Sequence, residues 1–203
     1  MDLFDEGHSE SLAIDDAEIF LWRHVDFGDD RQLLERLIRE TNWRQDRITL
    51  WGKSYLQPRL LAWHGDAGAE YSYSGITLAP EQWSDLLLDI KSKVEALSGA
   101  SFNSVLVNYY RDHRDSMGFH ADDEPELGAQ PVIASVSLGE ERRFVLKHRH
   151  RKDIENVVLP LPSSSLLLMA GETQRNWKHG IPKETRPRGP RVNLTFRTII
   201  TPS

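Results

Sequence analysis

In 191-RVNLTFR-197, Val192, Leu194 and Phe196 alternate with Arg191, Asn193, Thr195 and Arg197. Successive side chains of a strand point to opposite faces, so a strand here lines one face with two guanidiniums, an amide and a hydroxyl. On an open surface such a face meets water, and half-polar strands are ordinary there. Inside a fold, the same row would need a polar or anionic group to meet it.

The surrounding sequence supplies the setting. From residue 102 the chain runs through short β-type segments: 104-SVLVNYY-110, 132-VIASVSLG-139, 143-RFVLKH-148, 165-SLLLMA-170 and 191-RVNLTFRTII-200. Short strands separated by Gly and Pro loops argue for an antiparallel sandwich or barrel. Two helices precede them and are expected on its outside. The first is capped by Asp29 or Asp30 and runs to about Thr41, with Leu33, Leu34, Leu37 and Ile38 as its apolar stripe. The second is predicted from Pro80 in its first turn through Trp83, Leu86, Leu87, Ile90, Val94 and Leu97 to Gly99 beyond its end. The fold class is therefore α+β, mainly β. Residues 43–78 are aromatic and turn-rich without a clear period, and no repeat or linker divides the chain, so residues 18–203 are expected to form one domain. Residues 1–17, acidic and aperiodic, are expected to be a mobile tail.

The formal charge is −6, unevenly placed. Residues 1–30 hold ten acids and one base, leaving 21 acids against 24 bases in residues 31–203. Two basic runs stand out, 142–152 and 175–191. Each can follow a phosphate backbone, but taken alone a solvated surface loop is the plainer reading of each. With no cysteine, disulfides, iron–sulfur clusters, thiolate zinc and a cysteine nucleophile are excluded, leaving His and carboxylate for any metal. No apolar run approaches the roughly 20 residues of a membrane span and no basic-then-apolar leader is present, so a soluble, intracellular, monomeric protein with no membrane partner is the simplest expectation.

Residues 118-GFHADDEPE-126 contain His120 and Asp122 at i and i+2, a spacing that turns both to one face of a strand, as two ligands of one metal require. His179, in 174-QRNWKHGIP-182, lies between an apolar strand and the polar-faced strand 191–197. A jelly roll brings sequence-distant strands together, and two His with one carboxylate on one side of a metal is the arrangement of non-haem Fe(II) oxygenases. Loop or surface polar residues are the plain alternative for all three. An iron of that type calls for an organic acid such as 2-oxoglutarate, a dianion, and Arg191 with Arg197 can neutralise it through bidentate pairing. Asn193 and Thr195 share their strand face, and Asn108 with Tyr110, again at i and i+2, are placed to complete the pocket.

The ordered set N-x-Y, H-x-D, H and R-x-N-x-T-F-R, at Asn108/Tyr110, His120/Asp122, His179 and Arg191–Arg197, resembles the AlkB family of Fe(II) and 2-oxoglutarate-dependent nucleic-acid demethylases over roughly residues 43–200. The segments HADDE, PVIASVSLG and PRVNLTFR are similar to its DNA-acting branch. The resemblance implies a double-stranded β-helix (jelly roll) core over about 102–200, and a nucleotide-recognition lid over about 43–78. It implies Fe(II) on His120, Asp122 and His179, with O2 and 2-oxoglutarate as co-substrates. Arg191 with Tyr110 would hold the distal carboxylate, and Arg197 with Asn108 the end near the metal. Tyr73 matches the aromatic residue that stacks on a flipped base, and Tyr71 would touch the substrate; two packed edge-strand tyrosines are the alternative. Asp123 would meet the base's exocyclic amine, with Glu124 either sharing that role or capping a turn. Trp51 matches a finger that enters the stack, or packs under the lid, and Arg59 is a candidate phosphate contact.

The reaction so implied is oxidative demethylation of 1-methyladenine and 3-methylcytosine in double- and single-stranded DNA, in the cytoplasm, or in the nucleus of a eukaryote. The same chemistry on RNA or a protein side chain, and a non-catalytic module that reads damaged DNA, are the alternatives.

Overall fold

Every residue of Arg191–Arg197 is buried, so the alternation records a strand covered on both faces rather than one facing water. A computed structural model of the chain describes residues 8–50, 53–69, 71–73 and 76–200, with backbone alone at 48–50, 53, 71–73 and 76–78. Its strands are β1 (Glu10–Ser11), β2 (Glu18–Trp22), β3 (Arg47–Leu50), β4 (Lys53–Leu56), β5 (Leu60–Gly65), β6 (Tyr71–Tyr73), β7 (Ile76–Leu78), β8 (Ser104–Tyr110), β9 (Met117–His120), β10 (Ile133–Gly139), β11 (Arg142–His148), β12 (Val157–Leu161), β13 (Ser165–Ala170), β14 (Trp177–Ile181) and β15 (Arg191–Arg197). The helices are α1 (Asp30–Glu40), α2 (Asp85–Ser98) and the single turn α3 (Thr173–Asn176).

Seven strands form one sheet in the order β1-β2-β13-β10-β15-β8-β5, and four form a second in the order β12-β11-β14-β9. The pairings around the site are antiparallel. The larger sheet has two buried faces. Val192, Leu194 and Phe196, all at 0% exposure, join Val105, Val107, Val136 and Leu166 against Leu33 and Leu37 of α1 and Leu87, Ile90 and Val94 of α2. The opposite face packs Leu106, Ile133, Leu167 and Met169 against Phe144, Leu146, Leu161 and Ile181 of the smaller sheet. Two facing antiparallel sheets with helices on one outer side make a mainly β jelly roll. Burying a large apolar side chain contributes about 1.5–3 kcal/mol, so the helix-side row of β15 fixes its register and turns Arg191, Asn193, Thr195 and Arg197 toward the second sheet.

α1 starts where its cap is expected: the Asp29 carboxylate accepts from Gln32 N at 2.8 Å. α2 starts later than expected, at Asp85, because Ser84 caps it through Leu87 N while Glu81 is held by backbone bonds to Trp63 and Gly65 of β5. Gly99, at φ +68°, ends it as expected. The larger sheet also recruits β2 and β5, from outside the 102–200 core, while β3–β4 and β6–β7 form separate hairpins in the region expected to be a lid.

The expected mobile tail is corrected for residues 8–17. Glu10 and Ser11 pair with Leu21 and Phe20, Trp177 Nε1 donates to Asp15 O at 2.9 Å, and Asn176 Nδ2 donates to Asp16 O at 3.1 Å. Among the described residues, no helix is long and apolar enough to cross a membrane.

Candidate metal and co-substrate site

β9 and β14 pair so that His120 and His179 stand directly opposite each other, with ring centroids 4.4 Å apart. Asp122 follows just past the end of β9, fully buried. His120 and Asp122 thus converge, though not as strand neighbours at i and i+2: the chain leaves the strand after His120, and Gln174 Oε1 accepts from Asp122 N at 3.0 Å to direct it inward. His179 Nε2 lies 3.7 Å from Asp122 Oδ2 and His120 Nε2 lies 4.0 Å from Oδ1. One ligand atom from each residue falls within 4.8 Å of the others.

The electrostatics suit a cation. His120 Nδ1 is 2.9 Å from Gly118 O; a carbonyl only accepts, so Nδ1 carries the proton and Nε2 presents its lone pair to Asp122. Burial pushes both imidazoles down, His179 to about 3 with His120 adding to the effect, so the pair is neutral and able to bind metal at pH 7. Burial alone would raise the Asp122 carboxyl, but Arg197 and the two histidines outweigh it and hold it at about 2. Arg197 Nη2 donates to Oδ1 at 2.7 Å, while Oδ2 is buried with no hydrogen-bond partner. A buried carboxylate oxygen left without a donor is costly unless a metal meets it. Phe144 stacks on His179 at 5.2 Å and fixes its ring.

A cavity adjoins the triad, lined among others by Asn108, Tyr110, Ser135, Arg191, Asn193, Thr195 and Arg197. Arg191 is 1% exposed, donates from Nη2 to Ser137 Oγ at 2.9 Å and interacts with the Tyr110 side chain; its Nε and Nη1 are buried with no hydrogen bond of ordinary geometry. Burial lowers it to about 10, with Tyr110 opposing, so it remains a cation at pH 7. Its Cζ stands 5.2 Å from the Tyr110 ring centroid. Two buried donors on a cation fit a carboxylate, which accepts a bidentate pair of bonds from a guanidinium. The donor set therefore suits both iron and 2-oxoglutarate.

Other expected residues lie differently. Arg197 is engaged by Asp122, which ties it to the metal ligand. Asn193 donates to Ser135 Oγ and Val136 O, and Thr195 donates to Asn193 Oδ1, so these two form a bonded wall beneath the cavity. Arg59, expected at a phosphate, is corrected: it is 3% exposed and bonded to Asn108, out of reach of a backbone on the surface. Asp123 is half-exposed and held by Arg149 at 2.6 Å. Glu124 stands at the N-cap of a 3-10 turn, Pro125–Leu127, without a side-chain capping bond.

The backbone of β6 carries Tyr71 and Tyr73 opposite Leu78 and Ile76; their side chains, and all of Trp51, lie outside the described residues. The 142–152 run is largely not a free cationic strip: Arg142 is fully buried, donating to Asp112 O, Asp115 O and Pro182 O, and Arg151 pairs with Asp153 and Asp16.

Sequence reasoning missed Gln174, Ser135 and Ser137. Both serines share a face of β10 with Ile133 and alternate with Ala134, Val136 and Leu138, pairing with Thr195 and Asn193, and the same period of two that marks β15 marks them.

A jelly roll with a His-Asp-His cluster beside a cationic cavity defines a metal-dependent protein that takes an anionic co-ligand. Residues 28–197 match the model of the 2OG-Fe(II) oxygenase superfamily, and the chain belongs to that family. It is 42% identical over 183 residues to mouse "Alpha-ketoglutarate-dependent dioxygenase alkB homolog 3", covering 86% of this chain and 63% of that protein. It is 37% identical over 199 residues to human "DNA oxidative demethylase ALKBH2", covering 95% of this chain and 76% of the relative. The chain thus spans less than two thirds of the first relative's length. A solved structure described as "The structure of OsALKBH1" superposes with a TM-score of 0.64 at 18% identity, covering 94% of this chain and 100% of that one, a likeness of fold.

Proposed function

We propose that the protein is an Fe(II)- and 2-oxoglutarate-dependent oxidative demethylase of N-alkylated bases, 1-methyladenine and 3-methylcytosine, in DNA. The observation that carries this reading is the pairing of a carboxylate oxygen with no hydrogen-bond partner, Asp122 Oδ2, 3.7 Å from His179 Nε2, with guanidinium nitrogens of Arg191 that have none either, in the cavity that His120 and His179 line. One fits a metal ion and the other fits a carboxylate. With O2, the bound iron and 2-oxoglutarate supply oxidation of the N-methyl carbon, the co-substrate leaving as succinate and CO2 and the methyl as formaldehyde.

The chain's share is placement. His120, Asp122 and His179 hold the metal from one side. Arg197 keeps Asp122 ionised and aligned, and Gln174 fixes its backbone. Arg191 over Tyr110 takes the far carboxylate of the co-substrate, and the Asn193–Thr195–Ser135 wall closes the floor. The relatives' names, one a DNA oxidative demethylase, support a nucleic-acid substrate. The hairpin β6–β7 supports a lid, Tyr73 being the residue assigned to the flipped base.

The substrate assignment is tested by following 2-oxoglutarate turnover with methylated DNA, methylated RNA and a methylated peptide of matched concentration. Turnover stimulated by the methylated DNA above its unmethylated control supports the reading. Equal or greater stimulation by the peptide overturns it, and stimulation by RNA alone moves the substrate to RNA.

A further inference from the structure

Arg59 is a buried cation that the reaction above leaves without a task. It lies between Pro58 and the start of β5, 3% exposed, and its Nε donates to Asn108 Oδ1 at 2.6 Å. An arginine has donors only, so this bond decides the orientation of the Asn108 amide. The flipped amide would set two donors against each other at that distance. Asn108 sits on the inner face of β8 opposite Asn193, 2% exposed, and lines the cavity with Arg191 and Arg197. With its oxygen committed to Arg59, Asn108 has its NH2 left to offer the cavity. Arg59 Nη2 is buried with no hydrogen-bond partner, a cost that an anion in the cavity would offset.

We propose that Arg59 is a positioning residue for the dicarboxylate co-substrate: it turns Asn108 so that the amide donates to the bound anion. This rests on the 2-oxoglutarate reading above and not on the nature of the alkylated substrate. It separates cleanly from a phosphate contact. A phosphate contact alters affinity for nucleic acid and its salt dependence; a residue acting through Asn108 alters affinity for 2-oxoglutarate with no nucleic acid present.

The test is calorimetric titration of 2-oxoglutarate into Mn(II)-loaded protein without nucleic acid, using the parent, Arg59→Met, Asn108→Ala and the double variant, with melting temperatures recorded for each. Loss of a hydrogen bond to a charged group predicts affinity weakened roughly 10- to 100-fold in Arg59→Met. The double variant is expected to bind no more weakly than Asn108→Ala alone, because Arg59 acts through that amide. The melting temperature of Arg59→Met without 2-oxoglutarate is expected at or above the parent's, since an unpartnered donor has been removed. Arg59→Lys, which keeps a charged donor, is expected to recover part of the affinity and stands in if Arg59→Met does not fold.

Unchanged 2-oxoglutarate affinity in Arg59→Met, or in Arg59→Lys where that variant stands in, overturns the proposal. So do fully additive losses in the double variant. A parent that binds no 2-oxoglutarate sinks both this proposal and the proposed function, whereas a parent that binds it but demethylates no DNA sinks only the latter's substrate.

Discussion

Replacing Arg191 by Met separates what this residue does for the fold from what it does for the ligand. Met keeps an unbranched stem of similar length, so the space between Tyr110 and Ser137 stays filled while the guanidinium is lost. Without ligand, the parent buries two N–H groups of Arg191 with no partner, each costing about 1–3 kcal/mol. Against that stand one bond to Ser137 Oγ, worth about 1 kcal/mol, and the contact with the Tyr110 ring, worth up to about 2 kcal/mol when desolvated. The net expectation is a ligand-free variant more stable by about 1–2 kcal/mol, hence a melting temperature higher by roughly 2–8 °C for a chain of this size. Binding goes the other way. Truncating one member of a buried charge pair costs about 2–5 kcal/mol, so 2-oxoglutarate affinity should fall roughly 30- to 3,000-fold. Thermal unfolding of the Mn(II)-loaded protein, with and without saturating 2-oxoglutarate, reads both effects in one assay. A variant that is less stable alone and yet gains as much from 2-oxoglutarate as the parent would refute the reasoning, because Arg191 would then be a structural cation.

Asp122→Asn keeps an oxygen for Arg197 but removes the anion, so Mn(II) affinity by titration should fall at least about 100-fold while the fold survives; undiminished metal binding would count against the triad. Glu184 takes part in the ion pairs of buried Arg142 (3.4 Å) and of Arg188 (2.7 Å). Burial tends to raise its carboxyl, but Arg188 and Arg142 together hold it below the ordinary value, so its contribution is present above the unfolded carboxylate's pKa and lost as pH falls through the folded one. Glu184→Gln should therefore cost about 3 kcal/mol at pH 7, and the difference should shrink as pH falls through the lowered pKa of Glu184; denaturant unfolding at neutral and acid pH checks it, and a difference that does not shrink in acid would contradict the ion-pair account. Tyr73→Ala should lose demethylation of a methylated oligonucleotide while turnover of 2-oxoglutarate without product persists; equal loss of both would place Tyr73 in the co-substrate site instead.

The site was more legible in the sequence than the sheet that builds it. β15 declared itself because its helix-side row is apolar and its cavity-side row polar, and the period of two records both environments. β5, 60-LLAWHG-65, gave no such signal, since nearly all of it is buried and its two faces are both covered. β14 hid for another reason: Trp177–Ile181 is five residues of mixed character whose strand state comes from pairing with β9 and β11, 59 to 64 positions from the first and about 30 from the second. The sequence therefore leaves His179 between two strands, with a loop histidine as the alternative, while its partnership with His120 is expected. The ordering of residues 8–17 was invisible because it depends on hydrogen bonds from Trp177 and Asn176, separated by about 160 residues, and acidic composition says nothing of them. Arg59 was misplaced on the surface because composition favours exposed arginines, and only its bond to Asn108 shows otherwise.

The most direct test of the account is mass spectrometry of an oligonucleotide bearing one 1-methyladenine, single-stranded and annealed, incubated with the protein, Fe(II), 2-oxoglutarate and air. The account predicts conversion to adenine that requires 2-oxoglutarate and disappears in Asp122→Asn, with succinate formed alongside. An unchanged oligonucleotide in both strand states, with a metal-loaded protein that binds 2-oxoglutarate, would contradict it.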